Sequence, residues 1–95
     1  MITIKIKLSA QAKIDLKFAY EYYKSIEKPL GKRFKMEFFS KIEELKKVPA
    51  SGSFMYNTVR YRVLKTFPYI ILYEINDNQK LVVLRIFNTS QNPFW

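Results

Sequence analysis

Three of the four arginines of this chain lie in its second half. Arg60 and Arg62 are separated by one residue, and Arg85 interrupts a later apolar run, with Lys65 between them in the sequence. A guanidinium group binds phosphate or carboxylate through paired N–H donors, so this cluster favours an anion-binding surface. The alternative is a solvated face with no binding role. Within its apolar run, Arg85 is expected either to have a partner or to face an open groove.

The common catalytic sets are excluded because the chain contains neither cysteine nor histidine. Ser–His–Asp and Cys–His arrangements, thiolate metal sites and disulfides are therefore impossible. The adjacent Glu43 and Glu44 fall among helical charges and Glu74 is isolated, so no paired-carboxylate site is predicted. Cleavage chemistry would need Arg and Lys to stabilise charge and Lys or Tyr to move protons. We expect no metal and no other cofactor.

Three tyrosines in the same region allow two interpretations. Tyr61, Tyr69 and Tyr73 could stack on nucleic-acid bases. More often such side chains pack at the edge of a core, with the hydroxyl group hydrogen-bonded. We favour packing.

The chain carries a large positive charge for its length. Its 95 residues include 17 Lys and Arg against 8 Asp and Glu, which gives a net charge of +9. Such a charge attracts polyanions and acidic proteins, although surface lysines also serve solubility. The charge therefore favours an anionic partner.

Nothing in the sequence predicts export or membrane insertion. The first residues alternate between polar and apolar types, unlike the apolar core of a signal peptide. No run approaches the ~18 apolar residues of a membrane span. We expect a cytoplasmic protein that does not contact a membrane.

Hydrophobic periodicity predicts a strand followed by a helical hairpin. Residues 2–8 alternate as in a strand with one buried face. Ser9 is the expected N-cap of a helix over 10–26, and Pro29 is expected to begin a second helix over 29–48. The short connection predicts antiparallel packing of the two helices. The side chains expected to face the core are Ala12, Leu16, Ala19, Tyr23 and Ile26, followed by Leu30, Phe34, Phe38, Ile42 and Leu45, with Phe39 beside them.

After a predicted loop at 49–53, the pattern changes to that of strands. Residues 57–66, 69–76 and 80–88 are rich in β-branched and aromatic side chains, and turn residues separate them. Connections this short indicate antiparallel neighbours. The last part of the chain is therefore predicted to be a three-stranded meander.

These elements predict one α+β domain over residues 1–95. The order is β-α-α-β-β-β, with the helical hairpin packed on one face of an antiparallel sheet. Side chains two residues apart share a strand face, so Arg60 and Arg62 lie on the same side. We expect the arginines to line the face that the helices leave open.

Two segments resemble proteins of the RelE/ParE toxin family. Over residues 59–75, an arginine-bearing strand runs into Phe67-Pro68-Tyr69 and then into an apolar strand with a tyrosine, as in the middle strands of that family. The tail over 86–95 is similar to the closing motif of the family, with Pro93 and a final Trp95. The preceding strand and hairpin match the family's order, so the resemblance covers nearly the whole chain.

The resemblance implies the toxin of a type II toxin–antitoxin pair, of the plasmid stabilisation kind, neutralised by an acidic antitoxin. The long hairpin and the Phe-Pro-Tyr turn look closer to ParE-like members, which poison DNA gyrase without catalysis. The alternative is a RelE-like endonuclease that cleaves mRNA on the ribosome. A third interpretation is a basic interaction domain without toxic activity.

Departures from the family pattern bear on the choice of target. Many members have histidine where this chain has Asn88 and arginine where it has Gln91. RelE-like cleavage also often uses a C-terminal tyrosine or histidine, and the tail has neither, which favours the gyrase interpretation. The candidate residues for contacting the target or a nucleic acid are Arg60, Arg62, Lys65, Arg85, Asn88, Gln91 and Trp95.

Overall fold

Two helices pack on one face of a five-stranded sheet in the computed structural model, which describes residues 4–90. The helices and strands are β1 (Lys5–Leu8), α1 (Ala10–Ile26), α2 (Lys28–Lys47), a 3₁₀ turn (Pro49–Ser51), β2 (Ser53–Tyr56), β3 (Val59–Val63), β4 (Tyr69–Ile75) and β5 (Lys80–Asn88). The sheet order is β1-β5-β4-β3-β2. Strands β2 to β5 are antiparallel neighbours, whereas β1 pairs in parallel with β5.

The predicted α+β fold and its order of elements are confirmed, with one strand added. The added strand is β2, which lies at the edge of the sheet and begins at Ser53, the last residue of the loop expected at 49–53. The strand expected over 57–66 begins only at Val59. Asn57, with φ 46°, lies in the turn between β2 and β3. Asparagine tolerates this left-handed conformation, which a tight hairpin turn requires. The edge strand was missed because it is short and follows small residues typical of loops.

The start of α1 is fixed by Ser9, as predicted. Its Oγ accepts a hydrogen bond from the Ala12 amide at 3.0 Å and donates to the Leu84 carbonyl oxygen at 2.9 Å. The cap therefore satisfies an amide at the helix start and also attaches α1 to β5. Only Glu27 separates α1 from α2, which gives the predicted short connection.

The main core lies between the helices and the sheet. The rings of Tyr23 and Phe34 meet those of Phe67 and Tyr69 at centroid distances of 4.8 to 6.1 Å. The prediction that Ile26 and Phe39 face this core is wrong, because their side chains are 58% and 46% exposed. The buried positions of α1 end at Tyr23, one turn earlier.

The opposite face of the sheet is also apolar. Val59, Ile70 and Leu72 are buried there without a helix above them. Half-buried side chains surround them, namely Met55, Tyr61, Leu84 and Phe87. Strand β4 is thus apolar on both of its faces, which matches its unbroken run of apolar residues.

Neither helix in the described part of the chain has the length and hydrophobicity needed to cross a lipid bilayer.

Candidate functional site

Arg60 and Arg62 project from β3 on the side of the sheet that carries the helices. Their cross-strand partners, Tyr73 and Ile71, belong to the helix-side core. The Nη2 atom of Arg62 lies 3.1 Å from Oε1 of Glu44, which is on α2. The prediction that these arginines line the open face is therefore wrong. Period two correctly placed both on one face, but it could not identify that face, because both faces of the sheet are apolar.

The segment between α2 and β2 is held by side chains of β3 and β4. Arg60 Nη1 donates to the carbonyl oxygens of Ala50 and Gly52, at 3.1 and 2.8 Å. The Tyr73 hydroxyl donates to the Pro49 carbonyl oxygen at 2.6 Å and accepts from the Gly52 amide at 2.9 Å. Burial raises the pKa of Tyr73, so the hydroxyl remains a donor at neutral pH. The guanidinium group of Arg60 and the hydroxyl group of Tyr73 are thus hydrogen-bonded to backbone groups of the protein itself.

Glu44 joins Arg62 to α2. Its carboxylate lies 3.4 Å from Lys41 Nζ and 3.1 Å from Arg62 Nη2. Lys41, followed by Arg62, lowers the pKa of Glu44, so the carboxylate is charged at neutral pH. Arg62 also donates to Ser51 Oγ at 2.7 Å. The guanidinium group therefore already has two partners inside the molecule.

Arg85 pairs with Asp15 on α1 and lies apart from Arg60 and Arg62. Its Nε donates to Asp15 Oδ2 at 2.8 Å, and its Nη2 to Oδ1 at 3.3 Å. The Ile86 amide donates to the same Oδ2 at 2.9 Å, and the Arg85 guanidinium carbon lies 4.4 Å from the Phe87 ring centroid. A register shift opposite Leu72 gives β5 an extra residue next to Arg85. The bulge pairs Arg85 with Leu72 of the open-face cluster, so Arg85 lies on the predicted face while its guanidinium group reaches Asp15 of α1.

Asn88 lies at a groove of about 260 Å³ between α1 and β5. Its Nδ2 approaches the Tyr69 hydroxyl at 3.4 Å, and its Oδ1 accepts from Ser90 N and Oγ at 2.9 and 2.7 Å. Burial raises the pKa of Tyr69. Tyr69 and Tyr73 are both buried, so the predicted packing role of these two is confirmed. The residues that line this α1–β5 groove are Asp15, Phe18, Ala19, Tyr22, Tyr69, Ile86 and Asn88.

Lys65 is exposed in the turn between β3 and β4 and is in no ion pair within residues 4–90. The turn is attached to α2 by Glu37, which accepts from the Thr66 amide at 2.9 Å and from the Phe67 amide at 3.4 Å. Partial burial raises the pKa of Glu37, but the hydrogen bonds from this turn outweigh it and lower the pKa overall. Lys65 is thus held on a well-anchored turn.

The candidate residues do not form one site. Arg60 and Arg62 lie on β3 and Arg85 on β5, with β4 between those strands. Within residues 4–90, no three acidic side chains come together as a metal-binding group. Gln91 and Trp95 lie outside the described residues. A role of these candidates in target binding stays a prediction.

The sequence interpretation missed an exposed apolar row on α1. Ile14, Phe18 and Tyr22 are 48%, 73% and 52% exposed, and their spacing of four places them on one side of the helix. This α1 stripe (Ile14, Phe18, Tyr22) borders the α1–β5 groove, because Phe18 and Tyr22 also line it. The available signal was a second set of apolar residues at helical spacing, beside the set that faces the core.

Comparison with known proteins identifies the family. The model of the ParE toxin of the type II toxin–antitoxin system, parDE, matches residues 6–93. This chain belongs to the ParE toxin family. The expectation drawn from residues 59–75 and 86–95 is therefore confirmed, and so is the ParE-like direction of the resemblance.

Solved structures of ParE and RelE systems share the fold. The chain is similar to one from the chromosomal ParDE TA system of P. aeruginosa, with a TM-score of 0.78 and 19% identity, over 90% of this chain and 96% of that one. It is also similar to a chain of the toxin-antitoxin complex RelBE2 from Mycobacterium tuberculosis, with a TM-score of 0.60 and 17% identity, over 92% and 99%. No curated protein sequence matches the chain significantly.

This ParE toxin has arginines that are hydrogen-bonded within the chain and a helix face with exposed apolar side chains. The three arginines of the sheet all donate hydrogen bonds to groups of the chain itself. The α1 stripe presents three large apolar side chains to solvent. Such a surface can bind another protein by burial of apolar area.

Proposed function

We propose that this ParE toxin arrests growth by binding and poisoning DNA gyrase, without catalysis of its own, and that a cognate antitoxin neutralises it. Gyrase is the target assigned to the ParE-like members that the chain resembles. The observation that carries the proposal is the family match over residues 6–93. The proposed place of action is the cytoplasm, where gyrase works on the chromosome.

The state of the basic and phenolic groups supports binding over catalysis. A nuclease without histidine would need free cations to stabilise charge and a phenol or amine to move a proton. Arg60, Arg62 and Arg85 are already hydrogen-bonded to groups of the chain. Burial raises the pKa of Tyr69 and Tyr73, which disfavours the phenolate form that a base requires.

The α1 stripe is the surface that we assign to the antitoxin. Protein interfaces are centred on apolar and aromatic side chains, which Ile14, Phe18 and Tyr22 provide. The solved structures similar to this chain are a ParDE system and a RelBE2 toxin-antitoxin complex. An acidic antitoxin would also relieve the self-repulsion of a chain with net charge +9. An amphipathic acidic segment fits both features.

Gyrase assays test the proposal directly. The purified chain is added to gyrase with relaxed plasmid, and supercoiling and DNA cleavage are measured. We expect loss of supercoiling together with an increase in cleaved plasmid. The matched control is the same chain pre-incubated with its antitoxin, which should restore supercoiling.

Induction in cells separates this function from the alternatives. Primer extension on translated mRNA should show no new 5′ ends after induction of the toxin. Growth arrest with unaffected gyrase and new 5′ ends would replace the proposal with the RelE-like endonuclease. Absence of any effect on growth, at every level of expression, would instead support a basic interaction domain without toxic activity.

A further inference from the structure

The outer surface of the helical hairpin carries a continuous basic face. Helical spacing places three side chains of α1 in one row and three of α2 in another. We call these residues the lysine face: Lys17, Tyr20, Lys24, Lys28, Lys32 and Lys35. The two rows meet at Tyr20, because Lys24 Nζ lies 5.7 Å and Lys35 Nζ 4.4 Å from the centroid of its ring.

Close packing of the two helices brings the rows together. A Cβ added to Gly31 would lie 2.9 Å from Lys24 Cβ and 3.1 Å from its backbone nitrogen. The absence of a side chain at Gly31 therefore permits α2 to approach α1 at Lys24. This contact places cations of both helices within reach of the single ring of Tyr20.

The charge of this face is not neutralised by the chain itself. None of its five ammonium groups is in an ion pair within residues 4–90. At the other end of α2, by contrast, Glu43 pairs with Lys46, and Glu44 with Lys41 and Arg62. Residues 24–35, around the hairpin turn, contain four Lys and one Arg against one Glu. The positive charge of the helices is thus concentrated at the turn.

We propose that the lysine face binds the phosphate backbone of duplex DNA without reading its sequence. Lysine ammonium groups act as point charges that position a protein on phosphates and carry no base specificity. The row from 28 to 35 is about 10 Å long, at ~1.5 Å per residue. Phosphates follow one another at about 3.4 Å along the axis of each strand, so one row can contact more than one phosphate.

Duplex DNA fits this face better than an acidic protein does. Protein interfaces need apolar anchors at their centre. Among the residues of the lysine face only Tyr20 is aromatic, and its half-buried ring lies under two ammonium groups. The exposed Met36 and Phe39 border the face beside Lys32 and Lys35 and do not lie at its centre. The exposed apolar side chains Ile14, Phe18 and Tyr22 of α1 lie instead in the α1 stripe. The proposal does not rest on gyrase as the target, because the contact with DNA needs no second protein.

The experiment compares two variants of equal charge in the full chain. The first carries Lys24→Gln, Lys28→Gln, Lys32→Gln and Lys35→Gln. The matched control carries four substitutions at exposed lysines elsewhere, namely Lys5→Gln, Lys7→Gln, Lys47→Gln and Lys80→Gln. Each lowers the net charge of +9 by four. Binding to a fluorescent duplex is followed by anisotropy at several salt concentrations, and circular dichroism establishes that both variants are folded.

The wild-type chain should bind the duplex with an affinity that falls steeply with salt. Each phosphate contact adds about 0.9 to the slope of log K against log salt, so loss of four contacts should lower the slope by about 3.6. At low salt the lysine-face variant should bind at least about tenfold more weakly, while the control keeps most of the slope.

Three results would overturn the proposal. Equal losses in the two variants would mean that net charge alone attracts DNA. Absence of binding by the wild-type chain at about 50 mM salt, the lower end of the range in which such contacts are measured, would remove the surface as a DNA site. Competition by poly-glutamate as strong as that by unlabelled duplex of equal charge would assign the face to acidic proteins instead.

Discussion

The contact between α1 and the end of β5 depends on the carboxylate of Asp15. Its side chain is 10% exposed and accepts from Arg85 and from the Ile86 amide. Asp15→Ala leaves these donors without their acceptor, so we expect the free energy of unfolding to fall by about 1–3 kcal/mol, measured by urea denaturation. Alanine favours helix more than aspartate does, so helix propensity cannot cause a loss.

Two further variants make this measurement specific. Lys13→Ala, at an exposed position of the same helix, should change the free energy of unfolding by less than about 0.5 kcal/mol. Arg85→Met should cost less than Asp15→Ala, because the Ile86 amide still donates to Asp15 and the guanidinium group is 39% exposed. Equal costs for Asp15→Ala and Lys13→Ala would contradict the assigned role.

The hydroxyl of Tyr73 provides a second test at a single atom. Tyr73→Phe removes the donor to Pro49 and the acceptor for the Gly52 amide while the ring remains. We expect a loss of about 1–2 kcal/mol in chemical denaturation, because the two backbone groups lose their partner. Tyr56→Phe is the control, since Tyr56 is 56% exposed. Similar stabilities for the two variants would show that the segment is held by other contacts.

The raised pKa of Tyr23 predicts that the free energy of unfolding depends on pH in the alkaline range. Burial, followed by the charges of Tyr69 and Tyr22, raises its pKa from 10.0 to about 12. A raised pKa in the folded state contributes stability below the unfolded pKa, and this contribution is lost as pH rises through the folded value. The free energy of unfolding should therefore fall between pH 10 and about 12. Tyr23→Phe should reduce this slope, and an unchanged slope would assign the effect to other groups.

At the scale of elements, the close approach of α1 and α2 depends on Gly31. Gly31→Ala should destabilise the protein by about 1–3 kcal/mol, although alanine favours helix, because the new Cβ meets the Cβ and backbone of Lys24. Ser40→Ala, at an exposed position of α2, is the control and should be neutral or slightly stabilising. Thermal or urea unfolding of both variants measures the difference. A Gly31→Ala protein as stable as wild type would mean that the helices can separate at no cost.

The elements were largely predictable because local physics determines them. The Ser9 cap, the two helical periods and the strand composition of the last part each carry their own signal. Strand β2 carries almost none, because its pairing with β3 depends on the turn at Asn57. The order of elements follows from short connections, whereas the parallel pairing of β1 with β5 is a contact between distant parts of the chain.

The surfaces were harder to predict than the elements. The sequence places Arg60 and Arg62 together but does not show that α2 and the following segment meet them. The α1 stripe was hidden by the assumption that a helix has one apolar side. The first error concerns contacts between elements, which a period within one element cannot determine. The second overlooked a helical period that α1 itself carries.

At the scale of the whole molecule, two surfaces of the hairpin differ in chemistry. The α1 stripe is apolar, and the lysine face is basic. We expect Phe18→Ala with Tyr22→Ala to weaken antitoxin binding by at least about tenfold, because large aromatic side chains dominate interfaces. Isothermal titration calorimetry with the cognate antitoxin measures the change.

A second double variant, at two exposed apolar residues of α2, controls for the general loss of exposed apolar side chains. Met36 and Phe39 are 63% and 46% exposed and lie on a different helix. Met36→Ala with Phe39→Ala should leave antitoxin affinity within about threefold of wild type, in the range of neutral interface changes. Equal loss in both double variants would remove the assignment of the α1 stripe to the antitoxin.

The central claim is that this ParE toxin acts by binding its target and not by turnover. Titration of the purified chain against a fixed concentration of gyrase, with supercoiling measured after short and long incubation, tests it most directly. We predict inhibition that rises with the ratio of toxin to gyrase, does not progress with time below equimolar toxin, and is reversed by antitoxin. Progressive inactivation of gyrase by a small fraction of toxin, or full gyrase activity at a large excess of folded toxin, would contradict the claim.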